Sequence, residues 1–99
     1  RHRIEHCTLV NPDLLKRIKA CGCIPTPFWT YVYYHGEKWP QYGDEKLRWM
    51  FAHRLFLDSG IPVPGASDYG PGPFEPLMAA VRRNSTPGTS SRICSFSIL

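Results

Sequence analysis

The chain has 99 residues, a mass of 11.3 kDa, 42% hydrophobic and 20% charged residues, a composition that excludes a disordered or fibrous polypeptide. No apolar run approaches the roughly 20 residues of a membrane helix, and the opening Arg1-His2-Arg3-Ile4-Glu5-His6 lacks a signal peptide's apolar stretch. A cytoplasmic protein with no membrane partner is expected. The net charge of +4 does not mark a nucleic-acid binder, because Arg82, Arg83 and Arg92 are three of the twelve basic residues. Through residue 78 the nine remaining basic side chains face eight acidic ones.

Cys7, Cys21, Cys23 and Cys94 accompany enough aliphatic and aromatic residues for a core, so reduced and mostly buried thiols are expected, not a disulfide scaffold. Cys21-Gly22-Cys23 is tighter than the spacing of about two to four residues in a zinc knuckle, and no second pair follows.

Residues 4–10 mix β-branched and apolar types and predict a strand. Asn11-Pro12 supplies a cap and a first-turn proline for a helix with Leu14, Leu15 and Ile18 on one face, closed by Gly22. Ile24 begins a second extended segment, punctuated by Pro25 and Pro27 and running on through residues 28–34. Residues 35–43 read as a loop. Asp44 can cap one helix carrying Leu47, Met50, Phe51 and Leu55 and ending at Gly60. Residues 61–66 predict a third, short apolar strand, and a last helix begins near Phe74 with Leu77, Met78 and Val81. From Asn84 the chain turns polar and low in complexity, so residues 84–99 are expected to be a disordered or non-native tail and residues 1–83 the folded part.

Strand–helix alternation three times over predicts an α/β fold with a parallel sheet. At roughly 27 residues per unit, eight units would make a little over 200, near the size of a (β/α)8 TIM barrel. Three parallel strands alone leave two raw edges. With Arg1 standing where an initiator methionine would, the expectation is a piece of a longer barrel, or of an open α/β sheet, whose remainder lies upstream.

Active sites of such barrels lie at the C-terminal ends of the strands. His6 falls near that end of the first strand, and Asp68 just past the third. An imidazole and a carboxylate converging there suit a divalent metal or an acid–base pair. Trp29, Tyr31, Tyr33, Tyr34 and Trp39 form an aromatic cluster after the second strand, which packs the loop or walls an apolar pocket. His2 and His53 read as surface or packing residues, and His35 as a loop histidine.

Arg3-Ile4-Glu5-His6-Cys7, the proline-rich strand from Ile24, and Gly65-Ala66-Ser67-Asp68-Tyr69 with Pro71-Gly72-Pro73-Phe74 together resemble the metal-dependent amidohydrolase superfamily. The resemblance covers residues 1 to 78 and is to the amidohydrolase-3 group, which includes the N-substituted formamide deformylase-like proteins. It implies that the three strands are the sixth to eighth of the barrel. It further implies that His6 is a metal ligand and that Asp68 contacts the metal and the activated water. By the same resemblance the cofactor is a divalent metal, expected to be zinc, and the substrate a small amide-type molecule cleaved at a carbon–nitrogen bond. Trp29, Tyr31 and Tyr69 are the candidate substrate contacts. The superfamily's first-strand His-x-His pair, bridging acid or lysine and fifth-strand histidine have no counterpart in this sequence, so the piece alone is expected to be inactive; a homodimer is an open option for the parent. Two alternatives stand beside this: a non-catalytic α/β partner-binding module, or another amidohydrolase subgroup, D-aminoacylase-like or deaminase.

Overall fold

The computed structural model describes residues 1–68 together with Phe74, Leu77 and Met78. Its elements run β1 (Arg3–His6), α1 (Pro12–Cys21), β2 (Ile24–Pro27), α2 (Trp29–His35), a 3₁₀ helix (Gly36–Tyr42), α3 (Asp44–Leu47) and α4 (His53–Asp58). The first helix forms where its caps dictate. Asn11 Oδ1 accepts the Leu14 N–H at 2.8 Å, Pro12 fills the first turn, and Gly22 at φ +65° lets its own N–H close on the Lys19 carbonyl. Ile18 is buried, and the helix carries the chain back so that β2 lies parallel to β1, with Arg3 opposite Ile24 and His6 opposite Pro27. The fold is thus mixed α/β and opens on a parallel βαβ unit.

The third strand does not form among the described residues. Residues 61–66 make one isolated parallel bridge just past the end of β2, Ala66 with Phe28, in which Ala66 N–H donates to Pro27 O and Trp29 N–H to Ala66 O, each at 3.2 Å. Continuing that ladder towards the N-terminus needs donors from residues 27 and 64, and both are prolines. The segment lies where the third strand was expected, but only its last rung can be bonded.

Residues 4–10 are likewise not one strand. The chain leaves the sheet at His6 and Cys7, at φ +65° and +37°, and residues 8–10 then pair antiparallel with residues 49–51 through a Leu9–Met50 bridge. Phe51 N–H donates to Thr8 O at 2.7 Å and Val10 N–H to Trp49 O at 3.1 Å. That bridge, with Phe51 at φ +47°, divides the single helix expected after Asp44 into α3 and α4. Gly43, not Asp44, takes the cap position of α3, and its carbonyl accepts the Leu47 N–H at 3.1 Å. The expected loop at 35–43 is largely the 3₁₀ helix.

Residues 29–34, read as extended from their β-branched and aromatic character, belong to α2. Burial overrides that local preference, because helical spacing puts Trp29, Val32 and Gly36 on one inward face. Trp29 and Val32 pack with Trp39, Leu47, Met50 and Phe51 in one cluster, where Trp39 stacks on Phe51 at 4.6 Å. A second cluster gathers Val10, Ile18, Ala52, Phe56, Ile61 and Val63 between α1, α4 and the 61–66 segment.

The cysteines are less buried than expected: Cys21 is exposed, and Cys7 and Cys23 are partly so. None of the described helices is long and apolar enough to cross a membrane. Phe74, Leu77 and Met78 are helical and exposed. The rest of the predicted last helix, Val81 included, the 84–99 tail, Cys94 and Tyr69 lie outside the described residues.

Candidate functional site

His6 is the last residue of β1, and Asp68 lies two residues beyond the Ala66 bridge. Because β1, β2 and the bridge run parallel, both residues come to the same end of the sheet, as expected from the sequence. Each holds an uncommon left-handed backbone, φ +65° at His6 and φ +68° at Asp68. Across His6 the Cys7 N–H closes on Glu5 O at 2.8 Å, a γ-turn with positive central φ that ends the strand and lifts the imidazole to the surface. Asp tolerates this region better than most residues, and such backbone outliers cluster at functional sites.

The two side chains meet through Tyr31, in the first turn of α2. The Tyr31 hydroxyl donates to Asp68 Oδ2 at 2.8 Å, while its ring lies 5.5 Å from that of His6. His6 also leans on Phe28, at 4.3 Å between ring centroids, and His35 follows Tyr31 at 5.8 Å on the next turn. The site is therefore an aromatic shelf of Tyr31 and His35 resting on the buried Phe28, with an imidazole and a carboxylate on its rim.

Trp29 does not stand on this shelf. It is 5% exposed and lies under Gly65, in the core beneath the site. His53, half-buried at the start of α4, packs on the Trp29 indole at 5.2 Å, and burial pushes its pKa below the ordinary histidine value. His2 is exposed before β1. Phe28 as a support for His6, and the Tyr31–Asp68 bond, were not read from the sequence. The i, i+4 spacing of Tyr31 and His35 is the sequence signal for this pairing, and the strand-like composition of residues 29–34 masks it.

An imidazole nitrogen and a carboxylate oxygen are donor types that hydrolytic divalent ions accept, and both residues are exposed at one end of the sheet. They are two donors only. Among the described residues no three His, Cys, Asp or Glu side chains gather at metal-binding range. His6 and Asp68 are thus two donors of a kind that suits a divalent metal, and no third joins them among the described residues.

The model of the amidohydrolase family, in its amidohydrolase-3 group, matches residues 1–94. The chain belongs to the amidohydrolase family. Its structure is similar to the crystal structure of an uncharacterized metal-dependent hydrolase from Pyrococcus furiosus, with a TM-score of 0.63 and 26% sequence identity. The similarity covers 79% of this chain and 17% of that one, so this chain corresponds to a small part of that protein. No match is found among curated proteins.

Proposed function

We propose that the chain supplies the sixth to eighth strand units of a (β/α)8 barrel in a longer metal-dependent hydrolase that cleaves carbon–nitrogen bonds of small, non-peptide amides. The observation that supports this reading is the convergence of His6 and Asp68 on Tyr31 at the C-terminal end of parallel strands. His6 would hold a divalent metal through a ring nitrogen, with Asp68 beside it; zinc suits these donors, as do other divalent ions. When bound, the ion supplies a water of lowered pKa and polarises the substrate carbonyl.

The remaining chemistry falls to this chain's residues. Asp68 accepts the proton of the attacking water and returns it to the departing amine nitrogen. Tyr31, bonded to Asp68 Oδ2, fixes the carboxylate and leaves Oδ1 to face the water. Tyr31 is the substrate contact on the described part of the chain, and the cluster that holds Trp29 backs it from the core. Two donors among the described residues do not complete a catalytic metal site, so on this reading the 99-residue chain alone is inactive.

The test assays the intact enzyme on N-formyl amines and on N-acyl amino acids, with and without prior chelation. Chelation-sensitive hydrolysis of either class supports the reading, and preference between them assigns the subgroup. Hydrolysis of neither, or full activity of the 99-residue chain by itself, overturns it.

A further inference from the structure

The Cys21-Gly22-Cys23 motif stands apart from the hydrolytic site. Cys21 ends α1 and Cys23 precedes β2, at the opposite end of the sheet from His6 and Asp68. Gly22, at φ +65° with nothing within 4 Å of where a Cβ would stand, turns the chain so that the flanking side chains meet. Their sulfurs lie 2.9 Å apart and share a hydrogen bond, within about 1 Å of the roughly 2.05 Å length of a disulfide. Cys21 is exposed and Cys23 partly exposed, so a small reagent reaches the pair. We propose that Cys21 and Cys23 form a thiol–disulfide exchange site that reacts with small disulfides of the glutathione class.

Cys21 is the attacking sulfur. It is the more exposed of the two, and the Cys23 hydrogen bond, followed by smaller contributions that include the Arg17 charge, holds its pKa below the ordinary thiol value. Its thiolate attacks one sulfur of the small disulfide, whose S–S bond breaks. One small thiolate leaves with the electron pair and takes up the proton that Cys21 released. Cys23 then loses its proton and attacks Cys21 Sγ, expelling the second small thiolate, which takes that proton. Two protein thiols are oxidised to one disulfide, and one small disulfide is reduced to two thiols. Cys7 provides an internal control, since burial raises its pKa.

The full chain is incubated with oxidised glutathione, free thiols are capped with N-ethylmaleimide, and the tryptic peptide of residues 20–38 is weighed. The expected peptide is uncapped and two hydrogens lighter than the reduced form, with less than about one tenth held as a glutathione adduct. Cys23→Ser should stall with glutathione on Cys21, and Cys21→Ser should react about tenfold more slowly or worse. A persistent adduct on the unsubstituted chain, preferential bonding to Cys7 or Cys94, capped unreacted thiols, or an unslowed Cys21→Ser variant would each overturn the proposal.

Discussion

His6 and Asp68 occupy a backbone region that costs on the order of 1–3 kcal/mol for residues other than glycine, and the surrounding bonds hold both there. The Cys7–Glu5 bond fixes the first, and the Tyr31 hydroxyl engages the second. His53 is displaced in a different way, by burial. Its folded-state pKa is depressed, so below about pH 6.5 the unfolded chain binds a proton that the folded chain resists. The associated stability is complete above that pH, declines as pH falls through it, and levels only beneath the folded-state value. Urea unfolding should therefore give a lower midpoint at about pH 5.5 than at about pH 7.5, and His53→Gln should shrink the difference. An unchanged difference in the variant would contradict this account of His53. At this scale the shared end of the sheet where His6 and Asp68 lie was legible from the strand–helix order, whereas the Tyr31–Asp68 bond spans 37 positions and depends on α2 being a helix.

Among the elements, α1 was legible because its signals are local: an Asn cap, a first-turn proline and a left-handed glycine. The elements that differed from expectation were decided by contacts distant in sequence. Residues 29–35 have a strand's composition and form a helix, because that face fills the core above Phe51 and Trp39. The 61–66 segment has a strand's hydrophobicity, but Pro27 and Pro64 remove the donors that would extend its ladder. What locks this segment to α2 is close packing. A Cβ on Gly65 would lie 3.0 Å from Trp29 Cδ1 and 3.2 Å from Nε1. Gly65→Ala should accordingly destabilise the fold by about 1–3 kcal/mol, read as a lowered urea midpoint. An unchanged midpoint would show that the indole moves aside freely.

For the molecule as a whole, a two-stranded parallel sheet is too little to stand as an independent architecture, and β1 is paired only with β2 among the described residues. Leu9 and Leu14, 47% and 38% exposed, leave apolar surface on the same part of the molecule. These features agree with a family match spanning 94 positions and with a structural relative of which this chain covers 17%. They support the proposed place within a larger barrel, where further strands would supply the missing donors.

The most direct test of that account is metal analysis of the intact enzyme together with its His6→Ala and Asp68→Asn variants, each checked for native folding by circular dichroism. The account predicts a bound divalent metal in the parent and loss of most of it in His6→Ala. It also predicts a fall in kcat of about a hundredfold or more in Asp68→Asn. Unchanged metal content and activity in both variants would contradict it.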